Sequence, residues 1–488
     1  MSGRYHKQMR IMALFLSAAI ALGPRAAAQS LPDLGGSGDA ALSPAMERKL
    51  GESIVNEIRT RDPTYIEDPE VSDYLGSIGA RLTQVMTGAR YDFEFFLIRD
   101  PTINAFALPG GFVGVHTGLI TSTETESELA SVLGHEMGHV TQRHIARMFG
   151  QQQQVQMPMM VALAAALLLA RSRPDLATGA AAATQATVMN QQLSYSRDFE
   201  READRVGQQA LADAGYDPRA MATFFERMQR STRLSDDNSI PGYFRTHPLT
   251  YERIADAQSR AAALPYRQHA DSPEFQLVRA KLRADVGEPA DAVRQFEAAL
   301  REGRYASEQA AHYGLATALL RARRPADAQA EVDRLRALGK PDPMIEMLAA
   351  RVKSALGDRA GASAVLEQAR AKYPYSRPVF YAYIEALQQS GRNAEAAAGL
   401  TEALRQRPRD LKLHSLLALT YASLGKRLLQ HQEQAEVYAL QGSLPAAIEQ
   451  LQLARTAGDG DFYQLSVVDA RLKDLRTQHA ADLRDQKR

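Results

Sequence analysis

The 488-residue chain contains no cysteine. Disulfide staples, thiolate ligands and a cysteine nucleophile are therefore excluded, and any bound metal must be held by His, Asp or Glu. An excess of charge of either sign is missing as well. Lys and Arg number 58 against 57 Asp and Glu, a net charge of +1, so no strong pull toward nucleic acid is expected. Apolar runs of about 20 residues, the length that spans a bilayer, are also lacking. What is present is 45% hydrophobic and 24% charged, a soluble globular composition. The length calls for two or more domains.

The first 28 residues read as a secretory signal peptide. Arg4, Lys7 and Arg10 form a basic start, Ile11 to Leu22 a short apolar stretch, and Ala26-Ala27-Ala28 the small residues that a signal peptidase needs. Cleavage is expected after Ala28, with an uncleaved anchor as the alternative. No cysteine follows the apolar stretch to accept a lipid. A bacterial-type signal on a soluble product points to the periplasm.

Downstream, "SPAMERKLGESIVNEI" predicts an amphipathic helix with Ser43 as N-cap and Pro44 in its first turn. "SDYLGSIGARLTQVM" predicts a second helix, and the alternation of Tyr91 to Ile98 predicts a strand. "NAFALPGGFVGVHTGLI" reads as strand, Pro-Gly-Gly turn and strand. A single helix is then expected over Thr123 to Phe149. Met157 to Ala170 is apolar but only 14 residues long, short for a bilayer span. It reads as a buried or interfacial helix or an apolar lid, with peripheral membrane contact or a true membrane helix as alternatives. A long charged helix ending near Gly215 follows.

From about Ser272 the texture becomes Ala/Leu/Arg-rich. Gly357, Gly391 and Gly425 recur every 34 residues, Pro374 and Pro408 repeat that interval, and "PADA" occurs at Pro289 and again at Pro325. This is the period of tetratricopeptide repeats, two antiparallel helices per unit; a generic helical array is the bland alternative. Stacked repeats offer a concave face to extended peptides or partner helices. The polar connector from Ala263 to Ser272 marks the boundary.

The chemistry concentrates in "LGHEMGHVTQRH". His135, Glu136 and His139 match H-E-x-x-H, and i, i+4 histidines share one helix face, where two imidazoles can bind one tetrahedral metal. Glu136 sits beside the first histidine, within reach of a metal-activated water as general base. Gly138 leaves room beside the ligands. His144, five residues past His139, falls about 140° around a continuous helix and reads as structural. A catalytic zinc site needs a third protein ligand. "SRDFEREADRVG" offers Glu200, Glu202 and Asp204; Glu200 and Asp204 share a face and Glu202 points roughly opposite. A solvated helix face with ordinary charge pairs is the competing reading.

Taken together, "NAFALPGG", "HEMGH" and "SRDFEREAD" resemble the Ste24/HtpX-type zinc metallopeptidases, and the signal and repeats suggest a periplasmic branch of that family. The resemblance implies one Zn2+ per chain, with His135, His139 and Glu200 as ligands, Glu136 as general base and acid, and Asp204 as partner to a ligand. It places Asn104 to Gly111 beside the cleft as an edge strand, with Asn104, Ala105 and Phe106 as substrate-binding candidates. It further implies His247, in "FRTHPL", as a fourth ligand that holds the enzyme latent. The family's S-x-H-P pattern is replaced there by Arg245 and Thr246 before the histidine, and a capping or loop histidine ahead of Pro248 is the alternative. Arg245 or His247 are candidates for stabilising an oxyanion.

The expected architecture is mostly α: a zincin-like metallopeptidase domain with a small β-sheet (29–268), then an α-solenoid of tetratricopeptide repeats (269–488). The resemblance implies outer-membrane protein clients and the β-barrel assembly machinery as partners of the repeats. It implies an endopeptidase that also promotes assembly. The alternatives are an assembly adaptor whose protease site is secondary and a scaffold with a non-catalytic metal.

Overall fold

The computed structural model describes residues 42–88, 91–151, 197–234 and 242–485. The leader 1–28 and the apolar stretch Met157–Ala170 lie outside the described residues.

Ser43 caps α1 (Pro44–Arg61) by accepting the Met46 N–H, and Pro44 sits in the first turn where its missing N–H is harmless. The two-residue β1 (Tyr65–Ile66) leads to α2 (Pro69–Thr83), capped by Asp68. With β2 (Glu94–Ile98), β3 (Ala105–Leu108) and β4 (Phe112–His116) a four-stranded sheet forms in the order β1-β2-β4-β3. β2 and β4 run parallel, and the outer pairs are antiparallel. The alternation begins at Tyr91, but pairing begins at Glu94, opposite the first residue of β4. The β3–β4 turn places Gly110 and Gly111 at φ of 78° and 97°, a region that favours glycine.

The sheet is a partition. Phe96, Ile98, Phe106, Leu108 and Phe112 pack on one side with Leu50, Ile54 and Ile58 of α1. Ala105, Val113 and Val115 face the other side, toward α2 and the helix that carries H-E-x-x-H.

After α3 (Thr117–Ser122), the stretch expected to be one helix is two: α4 (Glu126–Thr141) and α5 (His144–Gln151). The break is at Arg143, whose φ is +54°, an uncommon conformation for a residue with a side chain. Its guanidinium donates to the Leu42 carbonyl and to Glu47, tying the break to the start of the described chain. α6 (Arg197–Asp213), α7 (Ala220–Leu234), α8 (Gly242–Thr246) and α9 (Tyr251–Ala263) complete this part.

Twelve further helices follow among the described residues, from α10 (Pro273–Ala284) to α21 (Phe462–Asp485). Gly357, Gly391 and Gly425 sit in turns between them at φ of 85°, 75° and 69°, which explains the 34-residue glycine period. The array curves back along α1 and α2. Lys281 meets Asp68 at 2.6 Å and also Glu70, Arg377 meets Asp73 at 2.7 Å, Arg409 meets Glu52 at 2.9 Å, and Asp482 meets Lys49 at 2.6 Å. The apolar core runs unbroken from Val71 to Leu366 across the junction.

Glu274, in the first turn of α10, tests the junction. Burial, with Asp342 and Glu126 nearby, pushes its carboxyl up to about 7. Between its ordinary 4.5 and 7 the folded chain keeps a proton that the unfolded chain has released, so this residue lowers stability increasingly as pH rises. Glu274→Gln is expected to raise the melting temperature near pH 8 and to leave it unchanged near pH 4; an equal shift at both would refute the buried-charge argument.

Candidate metal centre

Thr125 caps α4 by accepting the Glu128 N–H, and Glu126 and Glu128 occupy the positive end of its dipole. The helix is buried from Glu126 to Val140. Such a helix packs on all sides, so its polar residues must find partners inside the protein. α6 crosses it almost backbone to backbone. A Cβ on Gly207 would lie 2.8 Å from the Gly134 carbonyl carbon and the His135 nitrogen; one on Gly138 would lie 3.1 Å from the Ala203 oxygen. Gly138 thus makes room for α6 rather than for the ligands, which corrects the sequence expectation. The close crossing lets Glu200 reach both histidines.

His135, His139, Glu200 and His247 each point one ligand-type atom into a cluster spanning at most 4.8 Å. His135 Nε2 lies 3.0 Å from His139 Nε2 and 3.3 Å from His247 Nδ1. Glu200 carboxylate oxygens lie 3.4 Å from each of His135 and His139, and 3.0 Å from His247. Ligands about 2.0–2.2 Å from a tetrahedral ion lie about 3.3 Å from one another. The observed separations cluster at that value. All four residues are buried, and imidazole and carboxylate are borderline-to-hard donors that suit a divalent ion. The residues present fit a metal.

Two networks surround the cluster. Asp204 Oδ1 lies 2.9 Å from His135 Nδ1, leaving Nε2 for the cluster. Arg253, from α9, forks onto both Asp204 oxygens at 2.7 and 2.8 Å and reaches Glu200 at 2.8 Å. Burial alone would lower His135, but Asp204 and Glu200 raise it to about 9. Burial likewise works against the Glu200 charge, yet the three histidines hold its carboxyl well below the usual range. His139 is driven down by its burial. Tyr243 of α8 stacks on His247, ring centroids 4.7 Å apart, and its N–H bonds the Ile103 carbonyl just before β3.

Glu136 faces the sheet. Its Oε2 accepts the Ala107 N–H at 3.0 Å, its Oε1 lies 3.4 Å from His247 Nε2, and burial raises its carboxyl. Oε1 otherwise lacks a hydrogen-bond partner. β3 is an outer strand of the sheet. The Asn104 carbonyl bonds His116 of β4, so by alternation the Ala105 and Ala107 backbone groups face the open edge. The Phe106 ring lies on the far face, 5.8 Å from Phe96 and 6.1 Å from His116. Side-chain contact with a bound chain is thus turned away from the site there.

The structure brings His135, Glu136, His139, Glu200, Asp204 and His247 together, whereas Phe106 is turned to the far face of the sheet. The side chain of Arg245 lies outside the described residues. Sequence reasoning missed Arg253 and Tyr243: Arg253 sits in "TYERIADAQSR", which reads as an exposed amphipathic face. Its position six residues after His247 was the available signal. His144 was read on an unbroken helix, and the turn at Arg143 instead sets its Nδ1 2.8 Å from His139 Nδ1. Glu202, expected to point away, meets His144 Nε2 at 3.1 Å. His269, on the connector to the repeats, lies 3.1 Å from the buried Glu126 carboxylate.

A buried H-E-x-x-H helix crossed by a second helix bearing a carboxylate is the site of a metallopeptidase. Comparison with known proteins agrees. The model of Peptidase family M48 matches residues 69–261, and that of the tetratricopeptide repeat matches 354–419. The chain is 33% identical over 454 residues to the beta-barrel assembly-enhancing protease of Escherichia coli (strain K12), covering 92% of each chain. It is 31% identical to the Yersinia pestis protein of the same name, covering 91% of each. The mitochondrial metalloendopeptidase OMA1 of Arabidopsis thaliana is 34% identical over 161 residues, 33% of this chain and 30% of that one. The chain belongs to peptidase family M48, in the group of beta-barrel assembly-enhancing proteases.

Arg253→Met leaves Glu200 and Asp204 buried without their cation. Removing one partner of a buried ionic network costs about 3–5 kcal/mol, which chemical denaturation of the metal-free protein should read. A loss under about 1 kcal/mol would show that Arg253 does not hold the carboxylates.

Proposed function

We propose that this protein is a zinc-dependent endopeptidase of the periplasm that acts on outer-membrane β-barrel proteins and assists their assembly. His135, His139 and Glu200 are the metal ligands, Glu136 is the general base and acid, and Asp204 orients His135. The single observation that carries this is the convergence of His135, His139, Glu200 and His247 within 4.8 Å, next to a glutamate that bonds an edge strand. Zinc, when bound, supplies a Lewis acid that polarises a carbonyl and acidifies water.

The chain's own residues do the rest. A substrate strand added to β3 meets the outward backbone of Ala105 and Ala107. Glu136 holds the Ala107 N–H, so docking and release of Glu136 are linked: the incoming strand takes the N–H, and the freed carboxylate faces water. Glu136 accepts the proton of the attacking water and passes it to the leaving amine. Burial, which favours its neutral form, suits a group that carries a proton between two steps.

His247 is the gate. Its Nδ1 faces Glu200 and His135, its Nε2 faces Glu136, and Tyr243 stacks behind it. In this position it would serve as a fourth ligand and keep substrate and water from a bound metal. Residues 29–268 form the catalytic part and 269–488 the recognition part, whose repeats hold outer-membrane clients or the barrel-assembly machinery. The leader 1–28 directs export, and Met157–Ala170 supplies a peripheral membrane contact.

A second reading, an assembly adaptor with a closed protease site, is favoured by the burial of all four cluster residues. Glu136→Gln separates the two. Cleavage of an unfolded substrate is expected to fall by about 10²–10⁴-fold with metal content unchanged. If barrel assembly in cells survives that loss, the adaptor reading leads; undiminished cleavage would end the peptidase assignment. His247→Ala is expected to keep the metal and raise the cleavage rate several-fold. Slower cleavage with metal retained would show that His247 serves catalysis instead.

A further inference from the structure

His139 presents Nε2 to the cluster, and its other nitrogen points at His144. The two Nδ1 atoms are 2.8 Å apart, a hydrogen-bond distance at which one nitrogen must donate and the other accept. If Nε2 of His139 is to bind a cation, its ring proton resides on Nδ1, so His144 Nδ1 is the acceptor. That places the His144 proton on Nε2, which lies 3.1 Å from Glu202 Oε2, an oxygen that can only accept. Arg147 from the same short helix donates to the same oxygen at 2.8 Å. Each donor–acceptor assignment follows from the one before it. The His144 ring is held flat on Phe199, centroids 4.5 Å apart and planes 11° from parallel, and the Arg147 guanidinium lies over the Phe199 ring, 4.6 Å from its centroid.

The arrangement exists because α4 ends at Thr141. On a continuous helix His144 would project about 140° away from His139. The left-handed residue Arg143, fixed by Leu42 and Glu47, returns the chain so that the two imidazoles meet. Both halves of the centre are then built alike: His135 leans on Asp204 and Arg253, and His139 leans on His144, Glu202 and Arg147.

We infer that His144, backed by Glu202, Arg147 and Phe199, is a positioning residue that fixes the tautomer and ring orientation of His139 as a metal ligand. This rests on the reading of His135, His139 and Glu200 as ligands. Partners of a ligating histidine are typically worth 10–100-fold in metal affinity.

The test is zinc affinity of the purified full-length chain, measured by chelator competition at pH 7.5, beside the melting temperature of the metal-free protein. His144→Leu keeps the apolar contact with Phe199 but cannot accept a proton, and is expected to weaken zinc binding about 10–100-fold. His144→Asn, whose carbonyl oxygen can take the place of Nδ1, should recover most of that loss. Glu202 is half-exposed and its replacement is compatible with folding; Glu202→Gln should weaken binding a few-fold. With cobalt in place of zinc, His144→Leu should also shift the visible ligand-field bands. Affinity within two-fold of the parent for His144→Leu, or Leu binding as tightly as Asn, would overturn the inference and leave the ligand assignment intact. A parent chain that binds no zinc would instead overturn the ligand assignment itself.

Discussion

The contact on which this centre depends is between two backbones. Gly134 and Gly138 of α4 meet Gly207 and Ala203 of α6 with no room for a larger side chain on either helix. Helices normally pack 8–10 Å apart, and at that spacing a glutamate from one has to extend fully to reach a histidine on the other. Small residues at the crossing shorten the reach. Glu200 then sits one turn before Asp204 on the same face of α6, and the pair spans both histidines of α4 without leaving the core. The glycines serve the site by placing the carboxylates, although they bring no donor atom of their own to the cluster.

Packing alone would make such a site unstable, since it gathers carboxylates and imidazoles away from water. Arg253 resolves part of that by sharing one guanidinium between Asp204 and Glu200; its planar fork suits the task better than a lysine would. A divalent cation would resolve the rest, because His135 Nε2, His139 Nε2 and the Glu200 oxygens all converge on one small volume. His247, stacked on Tyr243, is set between the same groups, with one ring nitrogen 3.4 Å from Glu136 and the other 3.0 Å from Glu200.

Much of this was legible in the sequence, for reasons of periodicity. The H-E-x-x-H spacing reports directly on a helix face, the 34-residue glycine and proline intervals report on the repeat, and the Pro-Gly-Gly turn reports on the hairpin. The choice among Glu200, Glu202 and Asp204 was not decidable from helical spacing, because the face that turns inward depends on where Gly207 lets α6 approach. Arg253 was hidden because a buried arginine in a charged amphipathic stretch carries the same local pattern as an exposed one. The break at Arg143 was hidden for a different reason. No glycine or proline marks it, and it is imposed by contacts to Leu42 and Glu47, about a hundred residues away in the chain. Long-range contacts of that kind override local helix propensity and leave no trace in a window of a dozen residues.

The first turn of α4 ties recognition to chemistry. Glu126 is fully buried, and its carboxylate is met by the Tyr74 hydroxyl, His269, and both the N–H and hydroxyl of Ser272, while its own N–H bonds Asp271. Residues 269 to 272 are the chain that leads into the first helix of the repeats. The connector to the repeats therefore terminates on the helix that carries His135, about 14 Å along its axis. A buried carboxylate with this many partners is expensive to disturb, so the first repeat and α4 move together or not at all. Toward the far end the contacts are fewer: Asn56 donates to the Leu440 carbonyl at 3.3 Å, and the ion pair of the exposed Lys49 with Asp482 is individually weak. The repeat array is thus fastened firmly at the catalytic helix and loosely at its other end. That asymmetry leaves the later repeats freer to shift than the helix that carries His135.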